Sequence, residues 1–196
     1  MQKIYALIDK ESIKKRGLSL KEVAEFLEKS NIKIAQYRNK NPKSKSEIED
    51  DLRLIKTLFS GDLIINDYLE FIDLVDGIHL GQEDLAKIAP TEEAIKKVRE
   101  KIGNKILGIS THNKDEILKA NHLEIDYIGL GAYRSTSTKS DAKVSGEEIL
   151  EWAKLSTHPV AIIGGVKLSD RFPSQIKMRV IGSDILNKIK EENEQI

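Results

Sequence analysis

Cysteine is absent from the 196-residue chain. That excludes a disulfide framework, a thiolate nucleophile and a thiolate metal site, so any chemistry falls to oxygen and nitrogen groups. Net charge is absent as well: 32 Lys and Arg balance 32 Asp and Glu, without the basic excess that marks a nucleic-acid binder. No apolar run approaches the roughly 18 residues of a membrane span. The opening MQKIYALIDKESIKKRG has too short an apolar stretch, and charges too early, for a secretory signal. Tracts rich in Pro, Gly or Ser are missing too, so nothing marks a linker. The expectation is one domain over residues 1–196, cytoplasmic, acting on small molecules, with no nucleic-acid or membrane partner and room for a homo-oligomer.

What remains is 39% hydrophobic and 33% charged, the two signs interspersed, which is the composition of a globular protein. Short β-branched apolar runs recur along it: residues 4–9, 33–38, 63–67, 77–81, 105–111, 127–133, 159–165 and 178–185. Between them lie stretches of helical period, such as LSLKEVAEFLEKS, where Leu20, Val23, Phe26 and Leu27 fall three or four apart. Further helical stretches are expected from Ser44, Thr91, Asn113 and Ser145, each a residue type suited to an N-cap. Strands apolar almost throughout belong to a parallel sheet covered on both faces. Eight strand-then-helix units predict a closed (β/α)8 TIM barrel, with an open doubly wound sheet as the alternative.

In such barrels the site lies at the C-terminal ends of the strands, and there the polar residues of this chain collect. Gln36, Arg38 and Lys40 alternate along an extended segment, so all three point to one side, an amide and two cations suited to a phosphate or diphosphate. Lys139 closes a hydroxyl-rich loop and adds a third cation. Asp67 and Asp84 follow neighbouring strands; hard carboxylate oxygens near a diphosphate are what Mg²⁺ takes while keeping some of its waters. Asp67 also has the alternative reading of an ordinary helix N-cap. Gly164, Gly165, Gly182 and Ser183 end strands seven and eight, where barrels often seat a phosphate on backbone N–H groups. Two phosphate sites result, one cationic and metal-assisted, one lined by backbone.

The four histidines make no HxxxH or HExxH pair, and GxSxG is missing. His79 reads as a packing residue or a support to the site rather than a catalyst. Trp152 and the sparse aromatics read as helix-face packing against the barrel. Arg134 reads as a solvent-facing loop residue, with a contact to bound phosphate as its alternative.

The strand-end segments AQYRNK, LIINDY, DGIHLGQEDL, LGISTH, DYIGLGAYRSTSTK and AIIGGV, in this order, resemble the thiamine phosphate synthase family over nearly the whole chain. The resemblance implies a Mg²⁺-dependent (β/α)8 transferase that joins a pyrimidine diphosphate to a thiazole phosphate and releases diphosphate. In that reaction the C–O bond to diphosphate ionises to a pyrimidine-stabilised carbocation, which the thiazole nitrogen captures; positioning and electrostatics suffice, and no strong base is needed. On the resemblance, Gln36, Arg38, Lys40, Asn66, Ser110 and Lys139 contact the pyrimidine diphosphate, with Arg38, Lys40 and Lys139 catalytic, and Asp67 and Asp84 hold the metal. Thr136, Ser137, Thr138, Gly165, Gly182 and Ser183 would take the thiazole phosphate.

Several positions depart from the family's pattern. Asn39 stands where Glu is usual, the 132–137 loop lacks the usual glycines, proline and phenylalanine, and the helices before strands four and eight are shortened. A thiazole tautomerase of the same fold, or a non-catalytic barrel that binds a thiamine precursor, are the competing expectations.

Overall fold

The computed structural model describes residues 2–135 and 144–195. The chain starts with β1 (Lys3–Asp9), α1 (Lys10–Lys15), α2 (Leu20–Lys29), β2 (Ile34–Arg38), α3 (Lys45–Leu58) and β3 (Asp62–Asn66). A 3₁₀ segment, Leu69–Leu74, leads to β4 (Gly77–Leu80), α4 (Gln82–Ile88), α5 (Thr91–Ile102) and β5 (Ile106–Thr111). Then come α6 (Lys114–Ala120), β6 (Tyr127–Leu130), α7 (Glu148–Trp152), β7 (Val160–Ile162), β8 (Ile176–Ile181) and α8 (Ser183–Asn193). Every strand pairs in parallel with the next, and β8 returns to β1, where Lys3 faces Met178. The barrel is closed, which excludes the open sheet.

The strands carry apolar side chains on both faces because each face has something to cover it. Inward, Tyr5, Leu7, Ile34, Ile64, Tyr127 and Val180 fill the lumen. Outward, residues such as Ile8, Ala35, Leu63, Ile65 and Ile78 meet the apolar faces of the helices in one continuous core. Helix α2 shows how the local sequence directs this. Ser19 and Glu22 form a reciprocal capping box that starts the helix, and Leu20, Val23, Ala24 and Leu27 then return to its buried side. Leu27, Leu52 and Ile55 are fully buried under the barrel wall; cutting one of them back to Ala costs about 2–5 kcal/mol.

Several local expectations are corrected. Ser44 and Asn113 do cap their helices, but Pro90 takes the cap position before Thr91. Ser145 starts no helix: its N–H is spent on Ala132 O, and α7 begins at Glu148 after Glu147. The last strand ends at Ile181 rather than 185, since Gly182 turns the chain into α8. Asp67 caps nothing; the 3₁₀ segment after it starts at Leu69, with Tyr68 in the cap position and no side-chain cap.

The two shortened crossovers are where the sequence placed them. The one before β4 is a short 3₁₀ segment, and the one before β8 carries no helix, only turns tied by Arg179 to the carbonyls of Leu168 and Asp170. The aromatics are not confined to helix faces either: Tyr5, Tyr37 and Tyr127 lie on strands, and Tyr5 and Tyr127 point into the barrel.

Candidate active site

The C-terminal ends of the strands open on a cavity of about 1110 Å³. Its lining includes Gln36, Arg38, Lys40, Asn66, Asp67, Asp84 and Ser110 from one side, and Gly165, Gly182 and Ser183 from the other. Ten of the fourteen site residues read from the sequence are thus brought to one mouth. The other four, Thr136, Ser137, Thr138 and Lys139, lie outside the described residues.

Gln36 and Arg38 lean inward because they sit two apart on β2, and Lys40 continues their direction in the loop beyond. Each cation already has an anion. Arg38 pairs with Asp9 at the end of β1, and Lys40 with Asp67 at the end of β3. Asn66 Nδ2 donates to the same Asp67 oxygen. Asp67 holds a left-handed backbone at φ 74, a region that costs most residues energy and that Asp and Asn tolerate best. That bend aims its carboxylate across the mouth, while its N–H donates to His79 O at 3.0 Å.

Asp84 is in the first turn of α4 rather than at a strand end. Its carboxylate accepts from Lys87 Nζ at 2.8 Å and lies beside Asp67. Burial pushes the Asp67 carboxyl above its ordinary range; Lys40 opposes this, and the neighbouring Asp84 charge adds to it. Burial also pushes on Asp84, but its bonds from Lys87 and Asp67 and the charge of Lys40 hold it below the usual carboxylate range. Two carboxylates crowded into one partly desolvated spot are short of positive charge. Among the described residues no set of three or more His, Cys, Asp or Glu side chains converges as a metal cage. A pair of hard oxygens, with water and substrate oxygens filling the rest of an octahedron, fits Mg²⁺ rather than a caged Zn²⁺.

Below the charged rim the lumen is polar, with His79 in the supporting position its sequence reading allowed and Tyr5 and Tyr127 where helix-face packing had been expected. His79 is buried on β4, with Nδ1 3.0 Å from Tyr127 Oη and Nε2 3.0 Å from Ser110 Oγ. Burial, with a smaller contribution from the charge on His112, lowers its pKa to about 4, so the imidazole is neutral near pH 7. Tyr5 Oη lies 2.8 Å from Tyr127 Oη, and Gln36 Nε2 donates to Tyr5 at 3.0 Å. Burial raises both phenols far above any working pH.

Asp9 is the other residue missed. At the end of the first strand it has the signature of an N-cap, and it is one, accepting from Ser12 N at 2.9 Å; its second oxygen holds Arg38. Asn39 has no charge to offer the mouth and is buried, linking the β2 loop to Tyr37 and, through its carbonyl, to Tyr68.

Across the cavity, Gly164 and Gly165 both have positive φ, 97 and 59. A Cβ at Gly165 would come within 2.8 Å of Arg134 Cβ and 2.9 Å of Ser135 O, so the turn needs glycine there. Arg134 does face solvent, its side chain 42% exposed, but it is tied down rather than free. It stacks on Tyr133, donates to Gly165 O at 3.1 Å and is bidentate to Asp170. Gly182 and Ser183 lie where α8 begins, at the positive end of its dipole.

Fold and mouth together define a (β/α)8 barrel enzyme whose working face is the C-terminal rim of its strands. The chain belongs to the thiamine monophosphate synthase family, whose model matches residues 4–180. It is 35% identical over 174 residues to the thiamine-phosphate synthase of Persephonella marina, a match covering 83% of this chain and 79% of that protein. To the thiamine-phosphate synthase of Caldicellulosiruptor bescii it is 39% identical over 158 residues, covering 77% and 68%. Among solved structures it is similar to the thiamine phosphate pyrophosphorylase of Pyrococcus furiosus, with TM-score 0.70, 25% identity, and coverage of 97% of this chain and 96% of that one. The (S)-3-O-geranylgeranylglyceryl phosphate synthase of Thermoplasma acidophilum, at 14% identity and TM-score 0.61, shares the fold alone. No helix among the described residues is long and apolar enough to cross a membrane.

Proposed function

We propose that this chain is a thiamine-phosphate synthase, which condenses a pyrimidinylmethyl diphosphate with a thiazole phosphate and releases diphosphate. The observation that carries the reading is the pairing of Lys40 with Asp67, beside Asp84 and one strand from Arg38. Cations and hard anions side by side suit a ligand that is itself an anion carrying a divalent metal.

Asp67 and Asp84 would hold Mg²⁺, which when bound neutralises charge building on the leaving diphosphate. Arg38 and Lys40, joined by Lys139, hold the diphosphate oxygens and stabilise that charge as the C–O bond opens. Gln36, Asn66 and Ser110 hold the pyrimidine, so the developing cation stays fixed and faces the thiazole nitrogen. The thiazole phosphate rests on the turn at Gly165 and the N–H groups at Gly182 and Ser183, with the hydroxyls of Thr136, Ser137 and Thr138 as its further ligands. No residue has to abstract a proton before the C–O bond breaks, which agrees with His79 being neutral and engaged on both nitrogens.

The test is direct. Purified protein given both substrates and Mg²⁺ forms thiamine phosphate, with diphosphate released one for one. If none forms with both substrates across a wide Mg²⁺ range, the reading is wrong.

A further inference from the structure

The interior of a (β/α)8 barrel is ordinarily packed with branched apolar side chains. This one places Tyr5, Tyr127 and His79 there, buried and in contact, and shapes the strands around them. Gly108 on β5 is opposite Tyr127, and a Cβ on it would run into the Tyr127 ring. A Cβ at Gly129 would lie 2.9 Å from His79 Cε1. Two strand glycines therefore clear the space the two rings occupy. His79 and Tyr127 stack with centroids 5.6 Å apart, and Tyr5 meets Tyr127 edge-on at 5.7 Å.

We propose that Tyr5, Tyr127 and His79 form a one-way hydrogen-bond relay across the lumen that makes Ser110 a donor and Gln36 an acceptor toward the substrate ring. The inference rests on the function proposed above and deepens it by assigning how the ring is read.

The direction follows from counting protons. Gln36 Nε2 donates to Tyr5 Oη. Tyr5 then spends its single proton on Tyr127 Oη at 2.8 Å, and Tyr127 spends its own on His79 Nδ1 at 3.0 Å. A neutral imidazole accepting at Nδ1 carries its proton on Nε2, which donates to Ser110 Oγ at 3.0 Å. The Ser110 proton is left over, and the cavity lies in front of it. At the other end the amide that gives its N–H to Tyr5 keeps Oε1 for the ligand. Ser110 and Gln36 thus offer a donor and an acceptor, the complement of a ring nitrogen and an exocyclic amine on an aminopyrimidine.

With the Gln36 amide turned over, every bond would run backwards. His79 would carry its proton on Nδ1, Ser110 would give its proton to Nε2, and the ring would meet the opposite pattern. Tyr5 and Tyr127 are positioning residues on this account, since neither lines the cavity.

Two measurements test it. The first needs no activity: ¹⁵N-histidine labelling of the free protein, with the His79 signals assigned by loss in His79→Gln, reads the tautomer at pH 7. The proposal expects the Nε2–H form, moving toward Nδ1–H in Tyr127→Phe, where Nδ1 loses its donor. An Nδ1–H wild type, or a tautomer unmoved in Tyr127→Phe, overturns it. The second is steady-state kinetics of Tyr5→Phe and Tyr127→Phe. Each is expected to raise KM for the pyrimidine diphosphate roughly five- to tenfold, leaving KM for the thiazole phosphate and inhibition by inorganic diphosphate unchanged. A parallel loss in all three would mean that the tyrosines only support the barrel, and no loss in any would mean that the relay does not set the ring contacts. Either result overturns the proposal. If the wild type makes no thiamine phosphate, the function reading fails by itself, and the tautomer still decides the relay.

Discussion

Lys40 and Asp67 join in an ion pair that ties the loop after β2 to the end of β3, with Asn66 donating to the same carboxylate. The pair sits on a residue in left-handed backbone, φ 74, so local strain and charge are concentrated at one point of the rim. Asn shares with Asp a tolerance for that conformation. Asp67→Asn is therefore expected to melt within a few degrees of wild type while losing about 100-fold or more in turnover. Asp67→Ala should lose the activity and, in addition, about 1 kcal/mol of stability, since Ala pays the left-handed penalty in full. Thermal melts beside the coupled assay separate the two effects; an active Asp67→Asn would place the metal elsewhere.

Asp84 and Lys139 carry different parts of the proposed role, one toward the metal and one toward the diphosphate. Asp84→Asn is expected to raise the Mg²⁺ concentration for half-maximal rate at least tenfold, about the loss seen when groups around a metal are altered. Lys139→Ala should leave that concentration alone and lower kcat by about 100-fold or more. Mg²⁺ titrations of the two variants show whether metal and cation act separately.

Asp9 divides its two oxygens between Ser12 N and the Arg38 guanidinium. Asn at this position keeps an oxygen for the helix but no charge for the arginine. The expected result for Asp9→Asn is a near-normal melt and a KM for the pyrimidine diphosphate raised about tenfold as Arg38 loses its fixed direction. Asp9→Ala should lose about 1 kcal/mol more, the usual cost of an absent cap. Denaturant unfolding and initial rates on the same samples check both.

How much of this could be read from the sequence depended on how local each signal is. The strand runs, the capping residues Ser44 and Asn113, and the alternation of Gln36, Arg38 and Lys40 are written within a few positions; each run holds a strand, though those expected to reach 133, 165 and 185 end at Leu130, Ile162 and Ile181. Asp9 and Arg38 are 29 residues apart, and the cap role of Asp9 hid its second one. Tyr5 and Tyr127 were harder still. A strand covered on both faces is apolar throughout, so no alternation says which side faces the lumen. The tie that holds Arg134 was hidden because its partner, Asp170, belongs to a crossover that lost its helix and became a turn near Gly165. Ser145 offered a capping side chain, but the chain used its backbone to bond Ala132 instead.

That Arg134 contact leads to a prediction about the second substrate. Arg134 holds Gly165 O at 3.1 Å and Asp170 Oδ2 at 2.6 Å, fixing the turn assigned to the thiazole phosphate. Arg134→Ala is expected to raise KM for the thiazole phosphate roughly fivefold and to leave KM for the pyrimidine diphosphate unchanged. Equal changes in both would detach this turn from the thiazole side.

His79 should show itself in the pH dependence of stability. Burial first, and the His112 charge second, lower its folded pKa from 6.5 to about 4. As pH falls through 6.5 the unfolded chain takes up a proton that the folded protein refuses, so unfolding is favoured step by step until about pH 4, where the folded state protonates too and the loss levels off. The full window corresponds to about 3 kcal/mol. Other groups titrate over the same range, so the informative quantity is a difference. In urea unfolding at pH 7, 5.5 and 4.5, wild type should lose stability more steeply than His79→Gln, which has no proton to take up at that position. His79→Gln is expected to be the less stable protein at pH 7, having lost a neutral ring bonded at both nitrogens, and the gap between the two should narrow as the pH falls. Parallel curves would mean that the folded imidazole takes up its proton over the same range as the unfolded chain, and a ring so charged donates from both nitrogens and cannot accept from Tyr127.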